Sequence, residues 1–174
     1  MNSKNHLSFI EKIGYGFGDF ASVLFWQTIS LHLLFFYTDV YGISASAAGT
    51  MILFSRIWDG VNDPIMGMIA DRTNTRWGKY RPYLIWVAIP LYILAILTFT
   101  TPNISYSGKL VYAYVTFILF MMAYTAINIP YSTLLGVLTP DTKERTILSS
   151  FKYIGAYAGG LVISAFLLPM VKYF

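Results

Sequence analysis

Residues Arg56–Pro82 read RIWDGVNDPIMGMIADRTNTRWGKYRP. The stretch begins inside a long apolar segment and ends in a loop rich in arginine and lysine. Within the apolar part, Arg56, Asp59 and Asp63 stand three and four residues apart, and Asn62 lies between the two carboxylates. On a helix these spacings bring all four side chains into one sector. If the helix crosses a bilayer, a charge facing lipid at its centre costs at least about 2.5–3.5 kcal/mol. The sector must then face protein or water. Pro64 follows directly and frees backbone carbonyl oxygens for other partners.

The rest of the chain says that the setting is a membrane. Of 174 residues, 56% are hydrophobic and 18% aromatic, only 11% are charged, and the mean hydropathy is +0.58. A soluble domain carries about 25% charged residues, so this composition belongs to the membrane class. With no cysteine, neither a disulfide framework nor a thiolate metal site is available. The net charge of +4 is not gathered on one solvated face, which argues against nucleic acid. The N-terminal MNSKNHLSFIEK is short and polar, and the apolar run after it is too long for the core of a cleaved leader.

A helix needs roughly 20 apolar residues to cross a bilayer. Five segments qualify: Ile13–Tyr37, Ala45–Ala70, Pro82–Thr101, Leu110–Leu138 and Leu148–Phe174. The expected fold is therefore an all-α, polytopic membrane bundle. The connections TDVYGIS and TPNISYSG are nearly free of basic residues, whereas DRTNTRWGKYR and TPDTKER are rich in them. Lys4, Lys12, Arg72, Arg76, Lys79, Arg81, Lys143 and Arg145 fall on one side, and only Lys109 and Lys172 on the other. Positive charge marks the cytoplasmic side, which predicts a cytoplasmic N-terminus and an outward end to the fifth span. An odd number of spans without a polar tail reads as the first part of a larger bundle.

Two carboxylates with one adjacent arginine leave one acidic equivalent over. Oxygen ligands suit a hard cation, and a buried carboxyl beside a like charge also takes up a proton. The plainer reading is an Arg56–Asp59 ion pair that locks packing, but it leaves Asp63 and Asn62 unexplained. The first span carries Asp19 in GYGFGDF, where Gly14, Gly16 and Gly18 allow a neighbouring helix to approach closely. Asp19 is either an intramembrane carboxylate suited to sugar hydroxyls or a solvated group at headgroup level. His32 reads as a hydrogen-bonded packing residue, since no second histidine or cysteine is nearby. The fourth span carries YTAINIPYS, in which Tyr124, Thr125, Asn128 and Ser132 share one face beside Pro130. Such a face serves as interhelical glue or lines a water-filled cavity.

Taken together, GYGFGDF, FFYTDVYGIS, RIWDGVNDPIMG, RWGKYRP and NIPYSTLLGVLTPDTKERT resemble the glycoside–pentoside–hexuronide:cation symporters of the major facilitator superfamily. The resemblance runs from about Lys12 to the end of the chain. It implies a twelve-helix carrier working by alternating access, of which this chain holds five helices and lacks the C-terminal half. It implies a cation site at Asp59, Asn62, Asp63 and Thr125. It also implies a sugar site using Asp19, Tyr124 and Asn128 with a basic residue of the fifth helix, for which Lys152 is nearest. Gly67, Asp71, Arg72, Arg76, Lys79 and Arg81 match the loop that acts as an inner latch. NIPY resembles the glucuronide and xyloside branch, with Asn128 and Ser132 where melibiose-type members carry Asp and Trp.

The expectation is secondary active sugar transport coupled to Na⁺ or H⁺, with no organic cofactor and no metal beyond a coupling Na⁺. The partners are a sugar, a monovalent cation, the lipid bilayer of the cytoplasmic membrane and the remaining half of the carrier. The alternatives are a non-transporting sugar sensor or a truncated product without function. Enzymatic activity is not expected, since no nucleophile–base pair or metal-ligand set is present.

Overall fold

The computed structural model describes residues 7–173, with side chains described through residue 167. Lys4 and the side chain of Lys172, used above to read orientation, lie outside the described residues. The described residues form helices joined by short connections, without a strand. In order it forms α1 (Phe9–Phe35), a π-helical turn (Phe36–Val40), α2 (Ala45–Arg72), α3 (Arg81–Trp86), α4 (Ala88–Thr98), α5 (Tyr106–Leu138) and α6 (Thr142–Tyr173).

Several helix starts are written in local chemistry. The Ser8 backbone N–H donates to Glu11 Oε2 at 2.8 Å, and the Glu11 N–H donates back to Ser8 Oγ at 3.3 Å. This reciprocal cap satisfies two otherwise free donors and starts α1 one turn before the apolar run. Ser44 caps α2 by accepting from the Ala47 N–H. Asp141 caps α6, its carboxylate accepting from the Lys143 N–H at 2.9 Å. Both α2 and α5 continue through their internal prolines, Pro64 and Pro130.

The segment expected as one helix over Pro82–Thr101 is divided. α3 ends at Trp86, and α4 begins at Ala88. Pro90 is the physical cause: it has no N–H to give the Trp86 carbonyl, and its ring crowds that same carbonyl. The joint remains tight, because the Val87 N–H still reaches Tyr83 O at 3.1 Å and the Leu91 N–H reaches Val87 O at 2.9 Å.

Among the described residues, three helices are long and apolar enough to cross a membrane: Phe9–Val40, Tyr106–Leu138 and Thr142–Leu167. The apolar α4 is shorter, and α2 carries Arg56, Asp59 and Asp63 along its length. Large apolar side chains lie on the outer surface, among them Ile89 at 69%, Tyr92 at 61% and Ile96 at 53% exposure on α4. Such a density of exposed apolar groups matches hydrocarbon surroundings rather than water.

The chain forms two compact units. The first comprises the chain up to Leu33 and from Leu134 onward, and the second comprises Leu34–Thr133. In the first, α1 and α6 run parallel. Lys12 meets Glu144, Gly16 meets Phe151 and Gly155, Phe20 meets Gly159, and Gln27 meets Gly160 and Ser164. Contacts thus advance along both helices in the same direction. A side chain on Gly155 would overlap the Gly16 carbonyl oxygen, so the backbones touch directly. Gly16 serves the close approach expected of the first span, whereas Gly14 faces open space.

In the second unit the core is aromatic. Tyr37 and Tyr41 are fully buried, and Phe36 packs against Tyr37, Tyr41 and Phe99 with ring centroids 5.1–5.9 Å apart. Tyr41 and Lys109 clasp one another. The Tyr41 hydroxyl donates to Lys109 O at 3.0 Å, and the Lys109 ammonium donates to Tyr41 O at 3.1 Å. This anchors the α1–α2 connection to the start of α5.

Candidate functional site

The polar sector of α2 lies in the second unit, with part of α5 beside it. The Thr125 hydroxyl donates to Asp63 Oδ1 at 3.0 Å, and Thr125 itself is buried. Asp59, Asn62 and Asp63 are half-buried, while Arg56 is exposed. Among the described residues, Asp59 Oδ1 and Asn62 Nδ2 are buried without a hydrogen-bond partner, and so is Trp58 Nε1. A buried polar atom left unpaired costs about 1–3 kcal/mol, and more when charged. Three such atoms stand within five residues of one helix. The oxygens of Asp59, Asp63, Asn62 and Thr125 form the kind of donor set that a hard cation takes. The unpaired Asp59 oxygen fits that chemistry.

Further along the same face of α5, the Ser132 hydroxyl donates to Asn128 Oδ1 at 3.4 Å, and Tyr124 stacks on Phe120 with centroids 6.4 Å apart. His32 binds within its own helix, Nδ1 lying 3.3 Å from Thr28 O. This suits the packing role expected of it.

In the first unit, Asp19 and Lys152 face each other with 3.8 Å between Oδ1 and Nζ, their side chains 14% and 23% exposed. Two turns nearer the start of α1, Lys12 Nζ lies 2.8 Å from Glu144 Oε2, with side chains 13% and 4% exposed. The pairs have opposite polarity: α1 supplies the cation in one and the anion in the other. The family resemblance put Asp19 and Lys152 in one sugar site, and Glu144 was missed altogether. A glutamate in a TPDTKER loop looks solvated until α1 is laid across it.

The loop from Asp71 to Arg81 is ordered by residues that the motif does not emphasise. The Tyr80 hydroxyl donates to Asp71 Oδ1 at 2.6 Å, and Thr73 and Tyr83 share a hydrogen bond of 2.6 Å. The Asp71 carboxylate, by accepting the phenolic proton, raises the pKa of Tyr80 above its ordinary value. Gly78 takes φ +93°, which closes the turn begun at Thr75. Arg76 lies over the Trp77 ring at 4.9 Å. Asp71, Arg72, Arg76, Lys79 and Arg81 are all exposed, and a methyl group at Gly67 would reach ordinary contact with Ile129.

A protein-family model described as MFS/sugar transport protein matches residues 14–174. The chain belongs to the glycoside–pentoside–hexuronide:cation symporters of the major facilitator superfamily. YagG of Escherichia coli (strain K12), provisionally named a glycoside/cation symporter, is 50% identical over 166 residues, which are 95% of this chain and 36% of YagG. The inner membrane symporter YicJ of the same organism is 45% identical over 166 residues, again 95% of this chain and 36% of the relative. The isoprimeverose transporter of Lactiplantibacillus pentosus is 44% identical over 171 residues, 98% of this chain and 36% of that protein. The chain thus spans a little over a third of the length of these relatives. It is a multi-pass membrane protein of a transporter family.

Proposed function

We propose that this chain serves secondary active uptake of a glycoside, pentoside or hexuronide, driven by symport of Na⁺ or H⁺. The observation that carries the proposal is the α2–α5 cluster: Thr125 bonded to Asp63, with a buried Asp59 oxygen left unpaired one turn away. A carboxylate pair in an apolar segment, short of one counter-charge, gains most from a small cation. Asp59, Asn62, Asp63 and Thr125 hold the ion. On the family resemblance, Asp19 and Lys152, 3.8 Å apart in the first unit, and Tyr124 and Asn128, on α5 in the second, are the residues for the sugar. One charge moved across 100 mV supplies about 2.3 kcal/mol for accumulation. The relatives named for glycoside and isoprimeverose transport support a sugar or glycoside as the substrate.

The reading includes a cytoplasmic N-terminus in the inner membrane and five crossings, with α3 and α4 together making the third. The parallel course of α1 and α6 supports this count, since parallel helices need an odd number of crossings between them. YicJ, named for the inner membrane, supports the location. The loop Asp71–Arg81, with Gly67, acts as the inner latch. The family supports a reading of alternating access, with the partner half of the carrier closing the path.

The test is uptake of radiolabelled isoprimeverose, β-xyloside and β-glucuronide into membrane vesicles containing the chain together with the remaining half of the carrier, under imposed Na⁺ or H⁺ gradients. Accumulation that depends on one gradient is expected, and Asp59→Ala or Asp63→Ala is expected to abolish it. Gradient-driven accumulation that survives either substitution overturns the coupling site. Binding without accumulation under any gradient replaces the carrier with a sugar sensor.

A further inference from the structure

The unpaired atoms of α2 are not all of one kind. Asp59 Oδ1 accepts hydrogen bonds, whereas Trp58 Nε1 and Asn62 Nδ2 donate them. A cation satisfies the first and can satisfy neither of the others, since an N–H group presents positive charge to it. At about 100° per residue, Trp58 and Asn62 lie about 40° apart on the helix, followed by Asp59 and then Asp63. The sector therefore has a donor edge at Trp58–Asn62 and a carboxylate edge at Asp59–Asp63. Thr125 engages the carboxylate edge through Asp63.

From this division we infer that Trp58 is a sugar-binding residue, its indole N–H donating to a hydroxyl oxygen of the carried sugar beside the cation. The inference rests on the symport reading above. A hydroxyl suits the position because it accepts from a donor edge and donates to a carboxylate edge. Tryptophan also suits it chemically, as an indole offers one directed N–H together with an apolar face for a sugar ring. The arrangement places the sugar and the cation on adjoining residues of one helix, so occupancy of either changes the surroundings of the other.

The same N–H could be satisfied by water on the cation or by another protein segment, and the experiment separates these sources. Trp58→Phe keeps an aromatic ring and removes the donor. A second variant, with the indole replaced by the sulfur analogue benzothienylalanine, keeps the shape of the ring system and removes only the N–H. Binding of radiolabelled β-xyloside at saturating Na⁺ or proton concentration, binding of ²²Na⁺ without sugar, and thermal stability without sugar are measured on the protein in its membrane. Both variants are expected to weaken sugar binding about three- to tenfold, the worth of one hydrogen bond. Cation binding and sugar-free stability are expected to stay unchanged. If either well-folded variant binds sugar as the wild type does, the inference fails. Weaker ²²Na⁺ binding with unchanged sugar binding assigns the N–H to water on the ion, and lost sugar-free stability with unchanged sugar binding assigns it to protein. Failure of the wild type, joined by the remaining half of the carrier, to bind β-xyloside, isoprimeverose or β-glucuronide instead takes down the symport reading itself.

Discussion

Gly155→Ala gives the most direct test of how α1 and α6 are joined. The new methyl would overlap the Gly16 carbonyl oxygen and stand 2.8 Å from its carbon, whereas ordinary contact begins at 3.4 Å. Both obstructing atoms are backbone, so no side chain can swing aside. The helices must part by roughly 1 Å at this point, and the cost of such overpacking is about 1–3 kcal/mol. Separation also lengthens the neighbouring Asp19–Lys152 pair, now at 3.8 Å, which weakens it further. Gly14→Ala is the matched control, since nothing lies within 4 Å of its Cβ position. There the gain in helix propensity, about 0.5–1 kcal/mol, has no steric opposition. Stability is read by titration with SDS in mixed micelles, following helix content. Gly155→Ala is expected to unfold at lower SDS and Gly14→Ala at equal or higher SDS. If Gly155→Ala is as stable as wild type, the direct backbone contact is refuted and with it the register of the two helices.

Further predictions follow from the same geometry. Lys12→Glu leaves Glu144 buried beside a like charge and is expected to cost about 3–5 kcal/mol; adding Glu144→Lys restores most of that loss in the same SDS titration. Thr125→Val keeps volume and removes the donor to Asp63, so cation affinity measured by ²²Na⁺ binding or by proton uptake falls about tenfold or more, and unchanged affinity would separate Thr125 from the ion site. Tyr80 stays protonated beyond the ordinary tyrosine value of about 10. Its bond to Asp71 is therefore fully present below that pH and is lost as pH rises through the higher folded value. Asp71→Asn removes the carboxylate and lowers the Tyr80 titration, which is followed by NMR of ¹³C-labelled tyrosine.

Much of the architecture is legible without coordinates. Composition and the long apolar runs declare a membrane bundle. The spacing of Arg56, Asp59, Asn62 and Asp63 declares one polar helical face. Five motif blocks in order declare the family. The break at Val87 was also open to reading, because Pro90 stands four residues after Trp86 and must free its carbonyl. The spacing of Ser8 and Glu11 was likewise open to reading as a cap that starts α1 before Ile13.

What the chain alone leaves open is which face meets which. Helical periodicity reports the direction of a side chain about its own axis and carries no information about a partner on another helix. Thr125 reaches Asp63 across 62 residues of chain, and Lys12 finds Glu144 only because two parallel helices interlock along Gly16, Gly155 and Gly159. The same holds for the unpaired atoms of Trp58, Asp59 and Asn62. Their identities are visible in RIWDGVNDP, but whether an atom is buried and unsatisfied depends on everything packed around it. Sequence determined the class, the helices and the charged face. Tertiary structure alone decided the pairings, since a hydrogen bond or ion pair between helices depends on distances of a few ångströms that no local pattern encodes.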